Sequence, residues 1–153
     1  MNIFNYTTPI GKLAITDNGK AVVGVGFDKK FPFMVLGCPD RGGVCEKAYE
    51  QLMEYFAGTR KEFDLPLVPA GTPFQKRVWD ALLKIPYGKT VSYSDIALAI
   101  GNPKAVRAVG MACNRNPIAI IVPCHRVVGK SGKLVGYAGG LEIKQRLLEL
   151  ERN

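Results

Sequence analysis

The chain has 153 residues, 47% hydrophobic and 22% charged, which excludes a disordered chain and a miniprotein held by disulfides or metal. The longest strongly apolar run, residues 118–122, is too short to span a bilayer, and residues 1–10 have neither the basic start nor the apolar core of a signal peptide; a cytoplasmic protein with no membrane partner is expected. Net charge is +8, and its distribution matters more than its size: residues 1–70 carry 8 basic and 8 acidic side chains, residues 71–153 carry 13 and 5, so the whole excess lies in the C-terminal half.

In chain order, residues 12–16 and 20–27 are apolar, β-branched runs around Asp17-Asn18-Gly19, a strong hairpin signal. Ala48, Leu52, Tyr55 and Phe56 recur at helical spacing over residues 44–57, and Gly58 stops that helix. No chemistry is visible here, and residues 1–65 read as an αβ scaffold domain. Residues 63–71 hold Pro66, Pro69 and Gly71 where the charge balance changes, and read as a linker.

Thr72-Pro73 opens the next helix, with Thr72 as N-cap, and Pro86-Tyr87-Gly88 ends it after Ile85. Two short helices follow, residues 94–100 and 104–114, around Gly101-Asn102-Pro103, the pattern of a helix-turn-helix or of a plain helical corner. Ala105, Ala108, Gly110 and Ala112 leave little side chain on the second helix, which permits close approach to a partner, while Arg107 and Arg115 add charge. A basic half suits a polyanion such as DNA or RNA, although a solvated basic surface has the same composition.

Four cysteines, at 38, 45, 113 and 124, form no CxxC pair and have no histidine at zinc spacing, so free thiols and no metal are expected. Three of them read as small buried hydrophobes. Cys124 differs, because the only histidine of the chain, His125, follows it. A thiolate is the strong nucleophile, and a base or a positive field must produce it. In an extended segment chain neighbours point to opposite faces, so adjacency alone does not establish a Cys124–His125 hydrogen bond. After the Gly136-Tyr137-Ala138-Gly139-Gly140 loop, residues 141–151 read as a last amphipathic helix.

Residues 71–151 resemble the O6-alkylguanine-DNA alkyltransferases (methylated-DNA–protein-cysteine methyltransferases). The matching segments are Gly71-Thr72-Pro73-Phe74-Gln75, Val78-Trp79, Ile85-Pro86-Tyr87-Gly88, Ser92-Tyr93, Arg107-Ala108-Val109-Gly110 and Asn116-Pro117. They continue through Val122-Pro123-Cys124-His125-Arg126-Val127-Val128, Gly136-Tyr137-Ala138-Gly139-Gly140-Leu141, Lys144 and Glu151. Residues 1–70 match that family only in outline.

The resemblance implies an α/β (α+β) fold, with a small N-terminal sheet-and-helix domain and, over residues 71–153, a mostly helical, winged-helix-like domain containing the helix-turn-helix. It implies single-turnover repair, in which an alkyl group on O6-alkylguanine, with O4-alkylthymine a further candidate, moves irreversibly to Cys124. His125 is then the base acting through a water, Glu151 its orienting carboxylate, and Asn116 the hinge between the helix pair and the Cys124 segment. The implied partner is double-stranded DNA, bound in the minor groove by a monomer that rotates the damaged nucleotide out. Toward DNA the resemblance assigns Tyr93, Arg107, Ala105, Ala108 and Arg115; toward the flipped base, Val135, Gly136, Tyr137, Ala138 and Gly139. No cofactor is implied. Some relatives bind zinc in the N-terminal domain, but this chain has no histidine there. Ala138 stands where some relatives carry serine, so no side-chain hydrogen bond to the base is expected from it. The chain ends two residues after Glu151, so no tail is expected to extend the DNA contacts.

The alternatives are a lesion-binding relative, against which Cys124 argues because such proteins lack the acceptor, and a helix-turn-helix regulator, which calls for polar base-reading side chains. A Cys–His hydrolase leaves the basic half and the helix pair unexplained.

Overall fold

The Asp17-Asn18-Gly19 signal forms the expected turn in the computed structural model, which describes residues 2–27, 43–137 and 139–152. Asp17 Oδ1 accepts the Gly19 N–H at 2.8 Å, Asn18 Oδ1 accepts those of Lys20 and Ala21 at 2.9 and 2.8 Å, and Gly19 takes φ +90°. These bonds hold Lys20 in the turn, so the second strand of the hairpin starts at Val22 and not at Lys20. The hairpin is β2 (Gly11–Asp17) and β3 (Val22–Phe27), preceded by β1 (Asn2–Thr8), which pairs antiparallel along β2 from Asn2↔Asp17 to Thr8↔Gly11. Strand β1 has no clean alternation, since each face mixes an apolar side chain with polar ones; pairing with β2 makes it a strand.

Helix α1 (Val44–Phe56) packs on all three strands with Cys45, Ala48, Leu52 and Tyr55 buried. Its end is a Schellman turn: the Gly58 N–H reaches the Tyr55 carbonyl, the Thr59 N–H reaches that of Glu54, and Gly58 takes φ +80°. The stretch read as a linker is partly built into this unit. The Val22 N–H donates to the Pro66 carbonyl and the Val68 N–H to that of Val22, both at 2.9 Å, so the division between compact units falls between Pro69 and Ala70.

In the second unit α2 (Pro73–Leu83) starts with a capping box between Thr72 and Gln75. It stops at Leu83, short of Ile85, because the Lys84 and Ile85 N–H groups turn back to Ala81 and Leu82 before Pro86. β4 (Val91–Ser92) leads into α3 (Tyr93–Ala99), capped by Ser92 with Asp95. The turn after α3 is again of Schellman type, with the Gly101 N–H on Leu98, the Asn102 N–H on Ala97, and Gly101 at φ +78°. α4 (Val106–Asn114) begins two residues later than expected, since the Ala105 N–H is held by the Asn102 carbonyl in the preceding turn. Trp79 on α2, 1% exposed, donates its indole N–H to the Ala112 carbonyl at 2.9 Å and fixes α4 on α2. β5 (Val127–Val128) pairs parallel with β4, and α5 (Leu141–Arg152) closes this mostly helical, winged-helix-like unit.

Among the described residues no helix is long and apolar enough to cross a membrane, and no group of three or more His, Cys, Asp or Glu could hold a metal ion. Cys45, Cys113 and Cys124 are buried free thiols; Cys38 lies outside the described residues.

Candidate active site

From the end of α4 to Cys124 the chain is braced by one side chain. Asn116 Nδ2 donates to the Val122 carbonyl at 2.8 Å and toward Cys124 Sγ at 3.3 Å, while its Oδ1 accepts the Ile118 N–H at 3.0 Å. Within this loop Ile120 sits at φ +71°, a left-handed conformation that costs a β-branched residue about 1–3 kcal/mol. Ile120 is 1% exposed and Ile118, Ile121 and Val122 are buried with it, so packing and the Asn116 bonds hold the strained turn. Asn116 therefore does more than join two segments: it fixes the path of the chain into Cys124.

The segment after Pro123 is not extended but a single 3-10 turn, Cys124–Arg126. At about three residues per turn, consecutive side chains leave roughly 120° apart. Cys124 thus turns toward Asn116, whereas His125 and Arg126 both reach Glu151 on α5. His125 Nε2 lies 2.6 Å from Glu151 Oε2; Arg126 donates from Nε to Oε1 at 2.8 Å and from Nη2 to Oε2 at 3.1 Å. The Gly88 N–H donates to Oε1 at 3.3 Å. Arg126 Nη1 also donates to the Ile85 carbonyl at 2.8 Å, and its guanidinium lies 5.7 Å from the Tyr87 ring centre. All three side chains of this cluster are buried.

The proton positions follow from the partners. A carboxylate facing a guanidinium accepts only, so His125 Nε2 must carry the proton of that bond. Burial holds the imidazole below its ordinary range, against the raising effect of Glu151, so the resting ring is neutral. Nδ1 is then a lone-pair atom, and it is buried with no hydrogen-bond partner among the described residues. Burial likewise pushes the Cys124 thiol up, with Asn116 and the Lys144 ammonium pulling the other way. The resting pair is therefore thiol and neutral imidazole.

A second buried cation organises the loop after β5. Lys144 Nζ donates to the Val135 carbonyl at 2.9 Å and the Gly136 carbonyl at 3.2 Å, and Tyr93 Oη also donates to Val135 at 3.0 Å. Burial, with Cys113 and Cys124 nearby, raises the Tyr93 phenol to about 12. Burial, with Cys124 nearby, also raises the Cys113 thiol to about 12 and leaves it inert. Tyr137 is pushed well above the ordinary phenol range by burial, with Cys124 and Glu151 adding to it. Gly136, at φ +53°, lies so close to the end of α4 that a β-carbon there would stand 3.4 Å from Asn114 Oδ1.

The structure forms two hydrogen-bonded pairs, Asn116 with Cys124 and His125 with Glu151, joined through the chain at Cys124-His125; Tyr93, from α3, bonds the loop that carries Val135 and Gly136. Arg107, Ala108 and Arg115 are exposed on or just after α4, Ala105 is its half-buried N-cap residue, and Gly139 is half-buried. Ala138 lies outside the described residues. Sequence reasoning assigned nothing to Arg126 or Lys144, although Arg126 stands in the Cys124 motif. A long-range contact between residues 126 and 151 leaves no local signal.

Two family models match: the DNA binding domain of 6-O-methylguanine DNA methyltransferase over residues 73–153, and its ribonuclease-like domain over residues 5–69. The methylated-DNA–protein-cysteine methyltransferase of Methanosarcina acetivorans is 66% identical over 148 residues, covering 95% of each chain. That of Methanosarcina barkeri is 50% identical over 148 residues, covering 95% of this chain and 94% of the relative. Among solved structures, Mycobacterium tuberculosis OGT in complex with DNA is similar at a TM-score of 0.90 and 49% identity, covering 99% of this chain and 93% of that one.

Proposed function

Because the chain belongs to the 6-O-methylguanine DNA methyltransferase family, we propose that Cys124 is its alkyl acceptor and that His125, oriented by Glu151, is the base that activates it. The protein repairs DNA by direct alkyl transfer, the activity of a methylated-DNA–protein-cysteine methyltransferase, and DNA is its partner. The observation that supports the assignment of residues is a pair of contacts at adjacent residues: Asn116 donates toward Cys124 Sγ, and the buried His125 ring is held by Glu151.

In this reading the thiol proton passes through a water to His125 Nδ1 as sulfur attacks the alkyl carbon of O6-alkylguanine. The carbon–oxygen bond breaks, its electron pair returns to the base, and the base takes up a proton and leaves as guanine. The product is a thioether, which has no easy route back to thiol, so each molecule acts once. Glu151, accepting from Nε2, orients the ring and holds it in the tautomer whose Nδ1 can take the proton. Asn116, a donor to sulfur, stabilises the developing thiolate.

Reaching the alkyl group requires rotating the nucleotide out of the stack. α4 suits the minor groove because Ala105, Ala108 and Gly110 keep its surface low, with Arg107 filling the space vacated and Arg115 adding charge toward phosphate. Tyr93, Val135, Gly136, Tyr137 and Gly139 form the wall against the flipped base. A cytoplasmic location belongs to the same proposal. Incubation with excess O6-methylguanine DNA should add one methyl mass to the peptide containing Cys124. Equal methylation of a Cys124→Ser variant would overturn the acceptor assignment.

A further inference from the structure

We propose that Arg126 is a positioning residue that keeps His125 a neutral base, by neutralising the carboxylate on which both side chains converge. The inference rests on the reading of His125 as the base. Arg126 holds both Glu151 oxygens, and its third nitrogen is fixed by the Ile85 carbonyl. The Tyr87 ring beside the guanidinium and the Gly88 N–H on Oε1 fix the carboxylate from the same side. Side-chain exposure is 7% for Arg126, 1% for Glu151 and 0% for His125, so solvent screens these charges little.

One buried carboxylate can offset one buried cation. With Arg126 in that role, a proton on His125 would add a second positive charge with no counterion, which is costly in a buried site. Without Arg126, the protonated imidazole would itself become the counterion of Glu151. The other groups facing this pair do not reverse the balance. Lys144, about two turns before Glu151 on the same face of α5, opposes a proton on His125; Cys124 is a neutral thiol; and the phenols of Tyr87 and Tyr137 are held protonated by burial. Burial is the larger reason that His125 is held low, and the Arg126 guanidinium pushes the same way. Arg126 thereby leaves Nδ1 unprotonated at neutral pH.

His125 is the only histidine, so nitrogen-15 histidine labelling reports this ring alone. In the unaltered protein the imidazole should be neutral at pH 7, with the proton on Nε2. Arg126→Met should raise the pH at which the His125–Glu151 pair takes up a proton by about one unit or more, the usual effect of one close charge. The acid limb of alkyl transfer from free O6-benzylguanine should move up with it, and Arg126→Lys should restore both. An unmoved nitrogen titration in Arg126→Met overturns the proposal, as does an imidazolium at pH 7 in the unaltered protein, a measurement that decides the matter even if Arg126→Met fails to fold. A nitrogen titration that moves while the rate limb stays fixed leaves the Arg126 effect standing and overturns His125 as the base.

Discussion

Replacing Glu151 with glutamine changes one oxygen to an NH2 group and removes a charge, and the surrounding geometry makes that change severe. Oε1 accepts from Arg126 Nε and Gly88 N; Oε2 accepts from His125 Nε2 and Arg126 Nη2. Whichever oxygen becomes nitrogen therefore meets two donors. The least costly arrangement turns the NH2 toward His125, which can move its proton to Nδ1 and accept at Nε2. That relieves one conflict and leaves a buried guanidinium without its counterion, a loss of about 3–5 kcal/mol. In a chain of this size it should lower the melting midpoint by roughly 6–20 °C. The same rearrangement protonates the atom proposed to take the thiol proton, so transfer from free O6-benzylguanine should fall about 10²–10⁴-fold, as far as in His125→Ala. Behind the histidine of a serine protease triad, the equivalent tautomer change costs about 10⁴-fold. Urea unfolding and single-turnover transfer on Glu151→Gln and His125→Ala check both numbers. A midpoint near that of the unaltered protein, with a transfer rate within about threefold of it, would refute the reasoning about the carboxylate.

Three other outcomes follow from the site and the charge. Because burial raises the Cys124 thiol, its alkylation by iodoacetamide without substrate should be slow at pH 7 and climb as pH rises beyond the ordinary thiol range; fast alkylation at neutral pH would mean a preformed thiolate. Truncating Arg107 or Tyr93 to alanine should slow repair of duplex DNA far more than transfer from the free base, and equal losses on both substrates would remove their role in extracting the nucleotide. DNA binding should be nearly sequence-independent and weaken by orders of magnitude between low and moderate salt, since the +8 lies wholly in residues 71–153; a flat salt response would contradict this.

Much of the fold was legible because its signals are local. The Asp17-Asn18-Gly19 turn, the Thr72 cap with Pro73, Gly58 and Gly101 as stops, and the spacing of Ala48, Leu52 and Tyr55 each act within a few residues. What failed was local in form but settled at a distance. Strand β1 has no periodic signal and is made by its partner. Residues 66–68 read as linker and pair with Val22. Helix α4 loses its first two expected residues to the turn before it.

The site divides in the same way. The sequence by itself put a cysteine beside the only histidine in a distinctive motif, and with it the chemical type of the reaction. Only the tertiary structure decided which partners each of the two meets. A 3-10 turn in place of an extended segment sends Cys124 toward Asn116 and brings His125 and Arg126 to one carboxylate, on a helix 25 residues further along the chain. That convergence, and burial close to complete, determine which nitrogen carries a proton and which charge is offset. Residue identities supply the donors and acceptors; their protonation depends on distance and dielectric, which exist only once the chain has folded.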